Sequence, residues 1–287
     1  MSTRVHVPVS SDNFYERGVQ RAALLGDRLT EACAHQEAEF RSYGLDVEAV
    51  QEAAEQTFAA IADWDSRYAE ELRGLADGAG VPAWRAVALN SGTELLLSLG
   101  CLPADRGNVP GLEVGDPDDE APSWTWLEDL APAWHTQAVS GGRYSYVGVT
   151  EVGTLSRVAV NSRGLAAFVS EQARSTHETG AVPMHLWLAA LIENCASVDE
   201  AQQFLAEMPR RGANRITLID GVHGCPRSGA GALPDRSSRQ GTRGAYRPHD
   251  LVTAVAMPET STLLVLDAQS AHSHTDGWIE LVAGQAA

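Results

Sequence analysis

The sequence is poor in basic residues and has no long apolar segment. Its 287 residues include 21 lysines and arginines against 38 aspartates and glutamates, a formal net charge of −17. This charge argues against a nucleic-acid or anionic-membrane partner, both of which attract basic surfaces. The sequence still allows a local basic patch, because arginines cluster between positions 227 and 247.

No run approaches the roughly 18 apolar residues of a membrane-spanning helix, and the N-terminus lacks a secretory signal's apolar core. We therefore expect a cytoplasmic protein.

The cysteines are few and are not paired in the sequence. Cys33, Cys101, Cys195 and Cys225 form no CxxC motif and have no metal-ligand spacing with histidine. Without an export signal they are expected to be free thiols. No nucleotide, flavin or metal motif is present, so no cofactor is predicted. A hydrophobic fraction of 44% is enough for a substantial core.

The first hundred residues carry a helical pattern. Apolar residues recur at three- and four-residue steps over 13–40 and 46–71, and a further helix is predicted from Pro82 to Gly100. Residues 102–121 are rich in Gly, Pro and Asp, which is typical of a long loop. The first part of the chain is therefore predicted to be mainly α-helical.

The later sequence alternates short strands with one helix pair. Strands are predicted at 144–152, 156–162 and 164–171, with a hairpin turn at Asn161–Gly164. Helices follow over 183–195 and from Ser197, where Glu200 has the spacing of a capping box. A buried strand at 214–220 and a final hairpin over 251–268 complete the pattern. This order predicts an α+β protein with helices on both sides of mostly antiparallel sheets.

Cys101 is the residue most open to a chemical role. It follows Gly100 where the helical region gives way to the long loop. A thiolate is the strongest side-chain nucleophile near neutral pH. A lone cysteine is more often a small buried apolar residue, and a nucleophile also needs a base and an oxyanion donor. The residues alone leave both interpretations open.

A family resemblance favours the chemical role. The segment from Ala69 to Cys101 reads AEELRGLADGAGVPAWRAVALNSGTELLLSLGC, and it contains the elements ExxGLAxGAG, LNxxTEL and Gly-Cys in order. It resembles the segment before the nucleophile in the isopenicillin-N acyltransferase family of self-cleaving N-terminal-nucleophile hydrolases. The strand block over 149–171 and the helix pair over 183–209 are also similar to that family. The chain is expected to be a divergent and shortened member.

The resemblance implies a fold and a mechanism. The fold is a four-layered αββα sandwich, expected as one domain with a helical α segment (1–100) and a β segment (101–287). Self-cleavage between Gly100 and Cys101 would make Cys101 the first residue of the β chain. Its freed α-amine would act as general base. An acyl group would then pass through a Cys101 thioester from a small-molecule donor to an amine acceptor or water.

Several family positions differ in this sequence. Ser123-Trp124-Thr125-Trp126 stands where the family has an Asn-Trp-Asp-aromatic motif, so Thr125 replaces the Asp; Glu128 and Asp129 are out of register. The Thr-Asn-His motif has no counterpart, and Leu102 replaces a Thr. Arg247 is a weak match to a late family arginine.

The remaining candidates each have a structural alternative. Asn161 could support an oxyanion or shape the hairpin turn, and Asn214 could be catalytic or a strand-edge polar residue. Trp124, Thr125, Trp126 and Trp134 could line an acyl pocket, although tryptophans serve equally well as core. His135 and His185 are expected to be hydrogen-bonded structural residues.

Two hypotheses remain. The first is an N-terminal-cysteine acyltransferase or amide hydrolase acting on a small amide, thioester or peptide-like substrate in natural-product biosynthesis, with Cys101, Asn161, Asn214 and Arg247 as catalytic candidates. The second is a catalytically degenerate relative that acts as a binding or partner protein, which the missing Asp and Thr-Asn-His motif favour. Between them lies an unprocessed enzyme that uses Cys101 as an internal thiol, or a site rebuilt with the 102–142 loop.

Overall fold

A computed structural model describes residues 5–101, 134–170, 180–208, 215–222, 252–267 and 278–284. Eight α-helices lie within these ranges: α1 (Phe14–Leu25), α2 (Asp27–Ser42), α3 (Val47–Trp64), α4 (Ser66–Ala79), α5 (Ala83–Asn90), α6 (Gly92–Ser98), α7 (Met184–Asn194) and α8 (Val198–Ala206). The same ranges hold nine strands: β1 (His6–Ser10), β2 (Trp134–Ser140), β3 (Tyr146–Glu151), β4 (Val158–Asn161), β5 (Ala166–Ser170), β6 (Arg215–Ile219), β7 (Val252–Met257), β8 (Thr262–Asp267) and β9 (Trp278–Val282).

The helical region is more broken than its periodicity predicts. The expected helix over 13–40 divides at Gly26, whose φ of 57° lies in the left-handed region that favours glycine. The expected helix over 46–71 divides at Asp65, whose carboxylate accepts the backbone N–H of Arg67 and starts α4. The third divides at Ser91, where the backbone leaves the helical region. Local capping therefore overrides a continuous apolar pattern.

Helices α1 and α4 pack backbone against backbone. A side chain at Gly74 would meet the carbonyl oxygen of Tyr15, and one at Gly18 would meet the carbonyl oxygen of Glu71. Both positions must therefore remain glycine for the two helices to approach this closely. This contact explains why Gly74 belongs to the sequence motif that precedes Cys101.

Two sheets form the β structure of the described residues. The larger has the order β1-β2-β3-β4-β5-β6, in which β1 pairs parallel with β2 and the other pairs are antiparallel. The smaller has the antiparallel order β7-β8-β9. The expected hairpin over 251–268 is confirmed as β7 and β8. The sequence prediction missed β1, β2 and β9; the described residues before Cys101 are mainly helical, with β1 as their one strand.

Each face of the larger sheet has its own core. The first core lies between one face of the sheet and the helices, and its buried members include Leu72, Val139, Ala167 and Leu188. The other core lies between the two sheets. The described residues thus form three layers: helices, six-stranded sheet and three-stranded sheet. An α+β fold is confirmed, whereas the outer helical layer needed for an αββα sandwich is not established by these ranges.

Buried charges join the helices to the larger sheet. The Arg17 guanidinium donates to Glu193 at 2.7 Å and lies 3.4 Å from Glu71, which also accepts from Arg21 at 2.7 Å. Arg21 in turn donates to Gln137 on β2 at 2.6 Å. All five side chains are almost completely buried. Charge pairing offsets the cost of removing these ions from water, so the contacts fix how α1, α4 and α7 meet the sheet.

Two local sequence signals are confirmed. The turn after β4 ends at Gly164, whose φ is 80°, and it leads directly into β5. Ser197 caps α8 by accepting the backbone N–H of Glu200, while the Glu200 carboxylate accepts the N–H of Ala196. Both signals depend only on neighbouring residues, which is why the sequence alone reveals them.

Candidate active site around Cys101

Cys101 lies in a tight turn that closes helix α6. Its backbone N–H donates to the Leu96 carbonyl at 2.8 Å, and the N–H of Gly100 donates to the Leu97 carbonyl at 3.1 Å. Gly100 has a φ of 74°, and a side chain there would meet nothing within 4 Å. Backbone conformation, rather than space, therefore favours glycine at this position. The turn sets the expected cleavage bond at a fixed place after the helix.

The Cys101 thiol is more accessible than the other thiols that the structure describes. Cys101 is partly exposed, whereas Cys33 and Cys195 are buried. Burial raises the pKa of both buried thiols to about 11, which suppresses the reactive thiolate form. The Cys101 Sγ lies 3.7 Å from the Leu99 carbonyl oxygen, a distance compatible with a weak S–H contact. Cys225 lies outside the described residues.

Asn161 has a structural role at the end of β4. Its amide nitrogen donates to the carbonyls of Ile192 and Cys195, both at 2.8 Å. Its amide oxygen accepts the backbone N–H groups of Arg163 and Leu165, both at 3.0 Å. The side chain is fully buried. Both amide hydrogens are therefore already used, and no donor remains for an oxyanion in this arrangement.

The other site candidates lie outside the described residues. These are Trp124, Thr125 and Trp126 of the expected substrate pocket, together with Asn214 and Arg247 of the expected catalytic set. Their roles stay predictions. The structure therefore brings Gly100 and Cys101 together in one turn. It places Asn161 at the C-terminal end of α7.

The two buried histidines differ in their surroundings. The His185 Nδ1 lies 2.9 Å from the Ser156 carbonyl oxygen, so its structural hydrogen bond is confirmed. His135 on β2 has no hydrogen-bond partner for either ring nitrogen within the described ranges, so that expectation was wrong for His135. Burial, with Arg21 and His6 nearby, lowers the pKa of His135 to about 3. A neutral imidazole is thus held inside the sheet.

Two polar residues before Cys101 have roles that the sequence did not reveal. Asn90 donates to the Gly153 carbonyl at 2.8 Å and accepts the backbone N–H of Leu155 at 2.9 Å. The Glu94 carboxylate accepts the backbone N–H of Met184 at 3.3 Å. Both side chains are buried. Their place in the LNxxTEL pattern was the available signal, although it could not identify their partners.

Two features are absent from the described part of the chain. No cluster of three or more His, Cys, Asp or Glu side chains there could hold a metal ion. Within the same ranges, no helix has the length and apolar character needed to cross a membrane.

A comparison with protein families matches one part of the chain. Residues 133–225 match the family described as acyl-coenzyme A:6-aminopenicillanic acid acyl-transferase. This part of the chain is similar to that acyl-transferase family. No curated protein matches the chain. The matched range spans β2 to β6 with α7 and α8, which are five of the six strands of the larger sheet and its later helices.

The family match and the Cys101 turn occupy different parts of the chain. Gly100 and Cys101 precede the matched range, whereas Asn161 lies within it. The match therefore supports an acyl-transferase function broadly. The identity of the nucleophile depends on the sequence before residue 101 and on the geometry of the turn.

Proposed function

We propose that the chain is an acyltransferase that uses Cys101 as its nucleophile after breaking its own Gly100–Cys101 bond. One observation carries this proposal: the partly exposed Cys101 thiol directly follows a glycine held in a left-handed turn. The family match and the sequence resemblance before Cys101 support it. The other two thiols in the described ranges, Cys33 and Cys195, are buried and have raised pKa values.

Self-cleavage would proceed by an N-to-S acyl shift. The Cys101 Sγ loses its proton and attacks the Gly100 carbonyl carbon. The C–N bond then breaks, and the departing nitrogen takes up a proton to become the Cys101 α-amine. Water hydrolyses the resulting thioester, which leaves a Gly100 carboxylate and a free thiol. The freed amine has a pKa near neutrality and can serve as general base.

Acyl transfer would use the same sulfur. The α-amine accepts the thiol proton, the thiolate attacks the donor carbonyl, and the leaving group departs with a proton. An amine acceptor then attacks the thioester and restores the thiol; water in that place gives hydrolysis. The expected donors are small amides, thioesters or peptide-like molecules. The family's described reaction joins an acyl-coenzyme A donor to 6-aminopenicillanic acid, and natural-product biosynthesis is the corresponding role proposed here.

Further residues are proposed to support Cys101. Trp124, Thr125 and Trp126 are proposed to line the acyl pocket, and Asn214 and Arg247 to stabilise charge in the transition state. Asn161 is left out, because both its amide hydrogens already donate to carbonyls of the chain. Thr125 cannot carry the charge of the Asp it replaces, which is the observation in favour of a non-catalytic binding protein.

The absence of lysine makes the cleavage test direct. Since the sequence contains no lysine, its only primary amines are α-amines. Intact mass after amine-specific labelling should therefore show two fragments, 1–100 and 101–287, with one label each. Cys101→Ala should give one full-length chain with one label. Cys33→Ala, which removes a buried thiol, is the matched control and should cleave normally.

Other results would contradict the proposal. A single wild-type chain with one label, whose Cys101 also resists alkylation in the folded state, would favour the non-catalytic alternative. Cleavage that persists in Cys101→Ala would exclude Cys101 as the attacking group.

A further inference from the structure

We propose that Glu94 is a positioning residue for Cys101. Its buried carboxylate fastens helix α6 to the start of α7, and α6 in turn fixes the Gly100–Cys101 turn. This inference rests on the proposed role of Cys101 as the nucleophile. Glu94 precedes Cys101 by seven residues, or about 10 Å along a helix axis, so its effect passes through the backbone.

Glu94 supplies a cap that α7 lacks. Helix α7 begins after Pro183, and no side chain of its own caps it. The first backbone N–H groups of a helix have no partner within the helix. The Glu94 Oε1 accepts the N–H of Met184, the first residue of α7, at 3.3 Å. A carboxylate at a helix N-terminus is also stabilised by the helix dipole. Only 4% of Glu94 is exposed, so little water competes for this contact.

Asn90 is a second anchor just before α6. Its side-chain nitrogen donates to the carbonyl of Gly153, and its oxygen accepts the N–H of Leu155. These residues lie in the connection between β3 and β4, which the hydroxyl of Thr154 also joins to the carbonyl of Leu89 at 3.3 Å. Helix α6 is therefore held at its entrance by Asn90 and in its first turn by Glu94.

The position of Cys101 depends on this short helix. Helix α6 has seven residues, too few to be stable without tertiary contacts. The N–H of Cys101 donates to Leu96, which lies two residues after Glu94 in the same helix. A shift of α6 would therefore move the scissile amide and the thiol relative to the surroundings that build the site. Misplacement of reacting groups by about 1 Å costs about 100-fold in rate.

The test compares two helix-capping glutamates. Glu94→Ala removes the contact with α7, and Glu94→Gln keeps an acceptor oxygen and guards against a variant that fails to fold. Glu200→Ala is the matched control, because Glu200 accepts the N–H of Ala196 at 2.9 Å beside α8. The readouts are hydrogen exchange of the backbone amides over 92–101 and the fraction of full-chain protein cleaved at Gly100–Cys101 over time.

The expected effects are specific to one segment. Glu94→Ala should raise exchange over 92–101 by about tenfold and slow cleavage at least as much, because a buried donor is left unpaired and α6 opens more often. Glu94→Gln should change both readouts by less than about threefold, since its oxygen still accepts. Glu200→Ala should leave both unchanged.

The outcomes separate this inference from the proposed function. A wild-type chain that never cleaves contradicts the proposed function, and exchange over 92–101 then still decides whether Glu94 holds the turn. Cleavage that is unchanged in Glu94→Ala contradicts the positioning role. Exchange that rises over α7 alone, with 92–101 unaffected, would show that Glu94 serves α7 only and would also overturn the proposal.

Discussion

The two faces of the six-stranded sheet are built in different ways. The face toward the helices buries Arg17, Arg21, Glu71 and Glu193 in a connected set of ion pairs. The face toward the smaller sheet is apolar, and residues such as Phe168 and Leu263 fill it. Apolar contacts stabilise without regard to direction, whereas ion pairs require one geometry. The helix-facing side therefore specifies how the elements meet.

This difference coincides with the expected cleavage point. The core between the sheets consists entirely of residues after Cys101, from Trp134 to Ala283. The core beneath the helices contains residues from both sides of Cys101, from Val7 to Ala201. A break at Gly100–Cys101 would thus divide the core beneath the helices and the β1–β2 pair, and would leave the core between the sheets within one segment. The Arg17–Glu193 ion pair and the Arg21–Gln137 hydrogen bond join the two segments and would help to keep them in register after cleavage.

The largest effect is expected from breaking the charged interface. Glu71→Ala should lower the free energy of unfolding by about 3–5 kcal/mol, because Arg17 and Arg21 would lose a buried partner. Urea unfolding measures this change. Arg73→Ala is the matched control, since it removes an exposed ion pair with Glu70 and should cost at most about 1 kcal/mol.

Similar losses for Glu71→Ala and Arg73→Ala would contradict the contrast between the two faces. The buried network would then contribute no more than a surface pair. The helices would have to be held by their apolar contacts alone.

A pH-dependent effect should also be confined to the helix-facing side. The pKa of His135 is about 3 in the folded protein, against 6.5 as its ordinary value. The unfolded chain therefore binds an extra proton below pH 6.5, and stability should fall as pH drops toward 3, by up to about 1.4 kcal/mol per pH unit. Burial raises the pKa of Glu193, which acts in the opposite direction.

Two variants isolate the His135 contribution. In urea unfolding between pH 7 and 4, His135→Leu should flatten the acid decline relative to wild type, because the titrating group is gone. Leu263→Ala, in the apolar interface between the sheets, should lose about the same free energy at every pH, on the order of 2–5 kcal/mol. A decline unchanged in His135→Leu would show that other groups cause it.

The sequence revealed local features better than long-range ones. The Asn161–Gly164 turn, the Ser197 cap and the β7–β8 hairpin follow from neighbouring residues, and all three are present. Strand β1 was missed although His6–Ser10 alternates, because its partner β2 lies more than 120 residues later. Parallel pairing over that separation leaves no local signal.

The candidate site shows the same limit. Cys101 could be singled out from its motif and its position after Gly100. Arg17 and Arg21 resemble solvent-facing residues of an amphipathic helix, so nothing local indicated their buried partners. Asn90 and Glu94 belong to the motif, but their contacts with Gly153, Leu155 and Met184 arise only when distant segments pack.

The position of an acyl group on the chain tests whether Cys101 is the nucleophile. The protein would be incubated with a short-chain acyl-coenzyme A thioester, quenched, digested with trypsin and analysed by mass spectrometry. Cleavage at Gly100–Cys101 predicts a peptide from Cys101 to Arg106 that carries the acyl mass and is absent in Cys101→Ala. An intact peptide from Ala86 to Arg106, or an acyl group found only on other residues, would contradict the account.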